Sequence, residues 1–391
     1  MYAVGLMSGT SLDGIDAVLC EVHGHSTNTK VKVIAFETFS LDEEIKDEIK
    51  KVVRNDSPVT DLITSLNFKL GYEFSKAVKN IIQKAGLKSE DIAFVASHGQ
   101  TLYHLPKDKG NLVRSTLQMG EPAIIAYEND VAVISNFRVM DVAAGGEGAP
   151  LVPFSEIILY GEEGINIALQ NIGGIGNVTL LPGNQDSSLV FAFDTGPGNM
   201  MIDEAMKVLY GKNYDEGGKT ALSGTVNEEM LKFLLSHPYL EMKLPKSTGR
   251  EDFGEAYTNE ILNKFNELKH EDIIATLTMF TAQTINESYR RFIMDKYALS
   301  KVIIGGGGAH NMALLTNLRE LLPEVQVLTQ EDLGMSGDAK EAVAFVVLGN
   351  ETYHRSFSNV PGATGAKEQV ILGSITLAPR RFDQKGENKW L

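Results

Sequence analysis

The chain repeats one arrangement of secondary structure in its two halves, and this repetition restricts the folds open to it. Each half begins with a pair of strands joined by a glycine-rich polar turn, and then alternates helices with strands. The first pair lies within residues 2–22 and the second within residues 166–181. This order is typical of α/β folds. It predicts two similar α/β lobes facing each other over a cleft; the alternative is that two unrelated α/β segments look alike by coincidence.

The first half has the predicted order strand-strand-strand-helix-helix-strand. Three strands are expected within residues 2–39, and two helices at about 41–54 and 60–85. The strand Ile92–Ser97 follows and is expected to end in the polar turn Ser97–Thr101. A loop segment is expected around Asn136–Pro153.

The second half is also predicted to be α/β. Its strands are expected at Asn166–Gln170, Val178–Leu181, Leu189–Phe193, Lys301–Ile304 and Val325–Leu328. Its helices are expected near 200–209, 227–236, 255–267, 272–297, 311–321 and 338–348. We place the N-terminal lobe at 1–134 together with the C-terminal segment 362–382, the C-terminal lobe at 135–361, and a frayed tail at 383–391.

Charge and cysteine content restrict the partners and the compartment. The 391 residues include 36 lysines and arginines and 51 aspartates and glutamates, a formal net charge of −15. Such a chain repels phosphate backbones and anionic lipid, so we expect neither a nucleic acid nor a membrane as partner. The single cysteine, Cys20, cannot form an internal disulfide, which favours a reducing compartment and hence the cytoplasm. The N-terminus has no basic lead and no long apolar stretch, so we expect neither export nor anchoring.

The first glycine-rich turn has the composition of a phosphate-binding loop. Residues 7–16 contain two glycines, three hydroxyl residues and two carboxylates. Backbone amides and hydroxyls of such a turn can bind phosphate oxygens, while Asp13 or Asp16 can hold the water shell of Mg²⁺. The alternative is a plain hairpin, which needs one or two glycines but seldom three hydroxyl residues as well.

A carboxylate suited to proton transfer follows the apolar strand of the second half. Asp194 comes directly after Phe191–Phe193 and before the rigid loop Thr195–Asn199. A general base needs fixed geometry in a partly desolvated place, which the end of a strand supplies. The alternative is an aspartate that only caps the next turn. Asp203, one turn into the following helix, is expected to be structural.

Four successive glycines, Gly305–Gly308, lie between a buried strand and a helix. Four missing Cβ atoms allow the backbone to approach a flat group such as a nucleoside. The Walker A pattern is not matched, because Gly218-Lys219-Thr220 would need a glycine where Asn213 stands, and the Rossmann pattern is also absent. A nucleotide site is therefore expected without either common fingerprint.

Two polar segments contain residues suited to binding a sugar. His98 lies in Ser97–Thr101, which is rich in hydrogen-bond donors and acceptors, and Arg138 lies in the polar segment Asn136–Asp141. The eight histidines show no zinc-binding spacing. For Arg138 the alternative is a structural salt bridge.

Six motifs, taken in order, resemble those of the anhydro-N-acetylmuramic acid kinase family. They are Met7–Asp16, Ser97–Thr101, Asn171–Gly174, Phe193–Asn199, Pro245–Phe253 and Gly305–Gly307. The resemblance spans residues 5 to about 350. It implies the fold of the sugar kinase/actin-like superfamily: a two-lobed actin-like ATPase with duplicated ribonuclease H-like lobes and a nucleotide in the cleft between them.

The resemblance also implies an activity. The family uses ATP to phosphorylate 1,6-anhydro-N-acetylmuramic acid at O6 with hydrolytic opening of the anhydro ring, and yields N-acetylmuramic acid 6-phosphate and ADP in peptidoglycan recycling. ATP and Mg²⁺ are the implied cofactors, the sugar and ATP are the implied small-molecule partners, and a homodimer is suggested. O6 of an anhydro sugar carries no proton, so the base would act on a water that attacks C1.

The family motifs assign roles to particular residues. Asp194 would be the catalytic base. The residues that would bind ATP are Gly9, Thr10, Ser11, Leu12, Asp13, Gly14, Ile15, Asp16, Gly173, Gly174, Gly306 and Gly307, with Asp13 holding Mg²⁺ through water. The residues that would bind the sugar are His98, Thr101, Arg138 and Glu341. Two positions depart from the family pattern: Asn136 stands in place of an acidic residue, and Glu147 in place of a glutamine.

Two other functions remain open. The first is an ordinary hexose or amino-sugar kinase of the same fold, in which Asp194 deprotonates a hydroxyl group. The second is a non-catalytic actin-like ATPase. Only the anhydro mechanism transfers solvent oxygen to C1, so isotopic water distinguishes it from the ordinary kinase, and sedimentation with ATP alone would reveal filaments.

Overall fold

The computed structural model describes residues 1–9, 12, 14–54, 60–184, 189–334, 337 and 339–380. Its strands are β1 (Tyr2–Ser8), β2 (Ile15–His23), β3 (Lys30–Phe39), β4 (Ile92–Leu105), β5 (Ser115–Met119), β6 (Ala132–Ser135), β7 (Asn166–Ile172), β8 (Ile175–Leu181), β9 (Phe191–Pro197), β10 (Leu299–Gly305), β11 (Gln326–Thr329) and β12 (Ser374–Thr376). Its helices are α1 (Glu43–Arg54), α2 (Thr60–Lys84), α3 (Pro122–Asn129), α4 (Phe137–Ala143), α5 (Val152–Tyr160), α6 (Met200–Tyr210), α7 (Lys219–Ser223), α8 (Glu228–Leu235), α9 (Arg250–Phe253), α10 (Glu255–Lys264), α11 (His270–Tyr289), α12 (Met312–Leu321), α13 (Lys340–Tyr353) and α14 (Pro361–Thr364).

The chain forms two compact units, each with its own sheet. One unit comprises Met1–Tyr160 with Asp338–Leu391, and the other comprises Gly161–Gly337. Within the described residues, the first sheet has the order β12-β6-β4-β1-β2-β3, with β5 paired to β4, and the second has the order β11-β10-β7-β8-β9. None of the helices described is long and apolar enough to cross a membrane.

The two sheets share one topology. In the first, β1, β2 and β3 form an antiparallel meander, and β4 and β6 continue the sheet parallel to β1. In the second, β7, β8 and β9 form the meander, and β10 and β11 continue parallel to β7. This is the strand arrangement of a ribonuclease H-like lobe, present twice. The predictions of an α/β fold and of duplicated lobes are therefore confirmed.

Helices form where apolar residues recur at the spacing of one helical face. In α2, Leu66, Leu70, Phe74 and Val78 follow one another at intervals of four residues, and all four are buried. They pack with α1 on one face of the first sheet, while α13 covers the opposite face. Fully burying a side chain of this size stabilises the fold by about 1.5–3 kcal/mol. The second sheet is packed on one side by α11 and α12.

The contact-defined units differ from the lobes expected at 1–134 and 135–361. Residues 135–160 and 338–361 lie with the first unit, because α5 and α13 pack on its sheet. The C-terminal segment was expected with the first lobe, and β12 pairs with β6 there. The tail expected at 383–391 lies outside the described residues.

The polar turn expected at Ser97–Thr101 is wrong, because these residues lie within β4. The first part of β4 pairs in parallel with β6, and its second part pairs antiparallel with β5. Gly99 lies where the partner changes and has φ +78. A Cβ on Gly99 would lie 2.7 Å from the carbonyl oxygen of Met119, so this position requires glycine.

Two other local expectations are also wrong. The segment Asn136–Pro153, expected as a loop, contains α4, which Asn136 precedes with φ +58. Asp194 lies inside β9 rather than after the end of a strand, because β9 continues to Pro197 in pairing with β8. In both cases the glycines and polar residues indicated irregular structure, but strand pairing or helix packing stabilises a regular element there.

Candidate active site

The expected phosphate loop joins β1 to β2 in the first unit. Thr10, Ser11 and Asp13 lie outside the described residues. The Ser8 hydroxyl lies 3.0 Å from the carbonyl oxygen of Gly14 and 2.7 Å from Oε1 of Gln100. Gln100 Nε2 in turn donates to the carbonyl oxygen of Gly9, at 3.2 Å. Two buried polar side chains therefore fix both ends of the loop.

Two other loop residues have defined surroundings. Leu12 has φ +60, and its amide donates to the carbonyl oxygen of Gly9 at 3.3 Å, which closes a tight turn. The carboxylate of Asp16 accepts a hydrogen bond from Thr38 Oγ1 at 2.6 Å. Ile15 is buried at the start of β2. Asp16 is therefore tied to the neighbouring strand β3.

His98 and Arg138 form a hydrogen-bonded pair in the first unit. The His98 ring is buried and lies 4.7 Å from the Phe345 ring, with Nδ1 2.8 Å from the carbonyl oxygen of Gly99. Arg138 Nε donates to His98 Nε2 at 3.0 Å, so Nδ1 carries the ring proton. Burial and the positive guanidinium of Arg138 lower the pKa of His98 to about 3. The hydrogen bond to the Gly99 carbonyl oxygen acts in the opposite direction and raises the pKa. His98 is thus a neutral acceptor that orients Arg138.

Arg138 also lies within electrostatic reach of Glu341. Burial lowers the pKa of Arg138, and the carboxylate of Glu341 opposes that shift. Arg138 Nη1 donates to the carbonyl oxygen of Gly148 at 2.8 Å. Thr101, on β4, accepts from Gln118 Nε2 at 3.3 Å. The first unit therefore brings His98, Arg138 and Glu341 together, and their contact with a sugar stays a prediction.

The fully buried carboxylate of Asp141 holds the loop that presents Gly148. One oxygen accepts from the Gly148 amide at 2.8 Å, and the other accepts from Asn359 Nδ2 at 2.9 Å and Thr364 Oγ1 at 2.7 Å. A Cβ on Gly146 would clash with the same carboxylate. Asp141 thereby fixes the carbonyl that Arg138 binds. The sequence marks this segment as polar but does not reveal this role of Asp141, since the partners are 218 and 223 residues away.

In the second unit, three residues on two segments hold Asp194 in place. Its Oδ2 accepts the amide of Thr248 at 3.0 Å, and its carbonyl oxygen accepts the Tyr239 hydroxyl at 2.6 Å. Its own amide donates to the carbonyl oxygen of Lys246 at 3.4 Å. Lys246 and Thr248 belong to the family motif Pro245–Phe253, so this motif fixes the carboxylate.

A buried lysine lies close to Asp194. Lys246 Nζ is 4.5 Å from the centre of the Tyr239 ring and 5.3 Å from that of Phe292. Burial and the nearby Arg291 guanidinium lower the pKa of Lys246 to about 8, while the carboxylates of Asp194 and Glu287 raise it. Asp194 is thus within electrostatic reach of a cation, which the sequence alone did not indicate.

The glycines expected to bind the nucleotide converge at one edge of the second sheet. The carbonyl oxygen of Gly173 accepts the Asn199 amide at 2.7 Å, and that of Gly174 accepts the Gly198 amide at 2.9 Å. Gly306 has φ +78, and a Cβ there would lie 2.7 Å from Asn171 Oδ1. A Cβ on Gly307 would lie 3.4 Å from Asn199 Nδ2. The two glycine pairs leave the backbone without side chains at the ends of the neighbouring strands β7 and β10, and their contact with ATP stays a prediction.

Comparison with known proteins identifies the family. The family profile described as anhydro-N-acetylmuramic acid kinase matches residues 1–378. The anhydro-N-acetylmuramic acid kinase of Clostridioides difficile (strain 630) is 58% identical over 379 residues, which cover 97% of this chain and 99% of that one. The anhydro-N-acetylmuramic acid kinase of Bacillus cereus (strain G9842) is 52% identical over 381 residues, 97% of this chain and 100% of that one.

Among solved structures, the activator of 2-hydroxyisocaproyl-CoA dehydratase from Clostridium difficile with bound ADPNP is 14% identical, with a TM-score of 0.44 over 90% of this chain and 95% of that one. The family profile, by contrast, matches residues 1–378, and the two kinase relatives are more than half identical over 97% of this chain. The family expected from the six motifs is confirmed, and the chain belongs to the anhydro-N-acetylmuramic acid kinase family.

Proposed function

We propose that this protein phosphorylates 1,6-anhydro-N-acetylmuramic acid at O6 with ATP and opens the anhydro ring with water, so that it releases N-acetylmuramic acid 6-phosphate and ADP for peptidoglycan recycling in the cytoplasm. The observation that carries the proposal is 58% identity, over 97% of the chain, to a relative named for kinase activity on this sugar. The protein is a sugar kinase by family, and we expect it to act as a homodimer.

Asp194 is the base in this proposal. It takes a proton from a water that attacks C1, the C1–O6 bond breaks, and O6 keeps the electron pair. O6 then takes the γ-phosphoryl group, and ADP leaves. The Thr248 amide holds one carboxylate oxygen at 3.0 Å, and this contact fixes the carboxylate for proton transfer.

The first unit supplies the expected sugar contacts His98, Thr101, Arg138 and Glu341. N-acetylmuramic acid carries a lactyl carboxylate, and a guanidinium is well suited to bind a carboxylate. Arg138 fits this role because its hydrogen bonds go to a neutral ring nitrogen and a carbonyl oxygen, which leave its charge available.

The expected ATP contacts are the turn at residues 9–16 and the glycines 173, 174, 306 and 307. The turn fits phosphate because Ser8 and Gln100 fix its ends, and a Cβ on Gly14 would lie 2.6 Å from the Phe39 carbonyl oxygen. The family motif makes Asp13 the expected ligand of Mg²⁺ through water, while Asp16 accepts a hydrogen bond from Thr38. When bound, Mg²⁺ neutralises negative charge on the transferring phosphoryl group.

The test is an incubation with ATP, Mg²⁺ and a panel of sugars, followed by mass spectrometry. The panel contains 1,6-anhydro-N-acetylmuramic acid, N-acetylmuramic acid, N-acetylglucosamine and glucose. The expected product is the anhydro sugar with one added phosphate and one added water. Phosphorylation confined to the sugars that lack an anhydro bridge would instead establish an ordinary hexose or amino-sugar kinase.

A further inference from the structure

A cavity of about 470 Å³ opens in the first unit next to His98. Its wall comes from the beginning of α2, from β4 and β5, and from the end of β6. The parallel pairing of β4 with β6 ends there, at the carboxyl end of β6, and ligands of α/β sheets bind at this edge. The sequence motifs assign no role to the residues that line the cavity beyond His98 and its neighbours.

Two serine hydroxyls in the cavity wall have no hydrogen-bond partner within the described part of the chain. Ser97 follows Ala96 on β4 and Ser135 follows Ile134 on β6, and Ala96 is paired with Ile134, so the two serines are neighbours. They are only 1% and 7% exposed. An unpaired buried hydroxyl destabilises the folded state, so folding alone gives no reason to keep two of them side by side.

The rest of the wall restricts the ligand's chemistry. Ile63, Phe68 and Leu117 give it an apolar side. The one charged side chain among the described lining residues is Glu121, whose carboxylate accepts from Asn67 Nδ2 at 3.0 Å and stays in place. The negative charge of Glu121 would repel a carboxylate ligand, and no lysine or arginine among the described lining residues would attract one. A small neutral group with one polar end and one methyl end is favoured.

We propose that this cavity binds the acetamido group of the sugar. The hydroxyls of Ser97 and Ser135 donate to the amide carbonyl and accept from the amide N–H, and the acetyl methyl packs on the apolar side. The lactyl carboxylate is excluded from the cavity and goes to Arg138. This inference rests on the proposed function, and it makes the two serines specificity-determining residues.

The test compares two substrates in two proteins. One substrate is 1,6-anhydro-N-acetylmuramic acid, and the other carries a hydroxyl group in place of its acetamido group. The wild-type protein should prefer the acetamido sugar in kcat/KM. In the double variant Ser97→Ala and Ser135→Ala this preference should fall about tenfold or more through KM, with the KM for ATP unchanged. The unfolding midpoint should stay the same or rise, because two unsatisfied hydroxyls are removed.

Ser75→Ala is the matched control. Ser75 is buried in the same unit, but its hydroxyl accepts from Asn129 Nδ2 at 3.0 Å. This variant should lose stability and keep the acetamido preference. An unchanged preference in the double variant, or a loss of stability like that of Ser75→Ala, would overturn the inference while the kinase activity stands. If the wild-type protein phosphorylates neither anhydro sugar, the proposed function fails as well.

Discussion

β4 and β10 occupy the same place in the two sheets, yet they end in opposite ways. Each lies next to the first strand of its unit and parallel to it. β4 runs on through Ser97 and His98, which offer polar side chains at the edge of the sheet. β10 ends at Gly305 and is followed by three more glycines, which offer bare backbone.

The difference shows how one scaffold can recognise two kinds of ligand. Polar side chains provide the directed hydrogen bonds that distinguish one sugar from another, whereas glycines remove the Cβ atoms that would keep a flat base away. Duplicated strands therefore do not imply duplicated roles. The first unit is expected to select the sugar and to bind the ATP phosphates through the turn at residues 9–16, and the second is expected to bind the nucleoside and to hold the base Asp194.

The largest effect is expected in the second unit at Asp194. Asp194→Asn should lower kcat by about 10²–10⁴-fold, because a general base contributes that much, and should leave ATP binding largely intact. Steady-state kinetics and nucleotide titration measure both. The matched control is Asp272→Asn in α11, since Asp272 also accepts one backbone amide, from Thr225 at 2.7 Å. If Asp194→Asn turned over at nearly the wild-type rate, Asp194 would not be the catalytic base.

The next effect is expected in the first unit at Arg138. Arg138→Ala should raise the KM for the sugar about 10–100-fold, because a charged hydrogen bond to the sugar is lost. It should leave the KM for ATP unchanged. Arg138→Lys should recover little, because an ammonium cannot reproduce the guanidinium's planar fork. The control is Arg114→Ala. Arg114 also donates to a nearby carbonyl oxygen, that of Gly145, at 2.7 Å. A larger change in the KM for ATP than for the sugar would contradict the division of roles.

Gly99 and Gly306 allow a direct test of the two strands, since both have φ +78. Changing either to alanine should lower the free energy of unfolding by about 1–3 kcal/mol. Gly99→Ala should raise the KM for the sugar, and Gly306→Ala should raise the KM for ATP. The controls Gly86→Ala and Gly211→Ala, at φ +70 and +65 with no described atom within 4 Å of the added Cβ, report the backbone cost alone. If each variant changed the KM for the sugar and the KM for ATP equally, the two strands would not have separate roles.

The smallest effect concerns pH and His98. The pKa of about 3 lies below the ordinary value of 6.5, so the unfolded chain binds a proton that the folded chain does not. The stability due to neutral His98 is fully present above pH 6.5 and is lost as the pH falls toward 3, by up to about 1.4 kcal/mol per pH unit. His98→Gln should lose less stability than the wild type between pH 6.5 and 4 in urea denaturation. Equal losses would mean that His98 takes up its proton over the same pH range in the folded and the unfolded chain.

Local patterns in the sequence predicted much of this molecule. The meander of the first unit and the long helix α2 followed from spacing alone, because apolar periodicity is a short-range property. The extension of β4 did not, since β5 supplies its second ladder from a separate segment. The unpaired hydroxyls of Ser97 and Ser135 could not be foreseen either, because they become neighbours only when two distant strands align.

The family motifs predicted which residues matter, but not how they are held. Asp194 was expected as the base, yet the amide of Thr248 that fixes it lies 54 residues further along the chain. The hydrogen bond between Thr364 and Asp141 joins residues that are 223 positions apart. Such contacts depend on tertiary packing, which no local pattern encodes.

The central claim is that Asp194 activates water at C1 while O6 receives the phosphoryl group. The most direct test is a reaction in ¹⁸O-labelled water with 1,6-anhydro-N-acetylmuramic acid and ATP, stopped before the product exchanges its anomeric oxygen with solvent. The account predicts one ¹⁸O atom on C1 and none in the phosphate. Label in the phosphate, or a phosphorylated product with unlabelled C1, would contradict it.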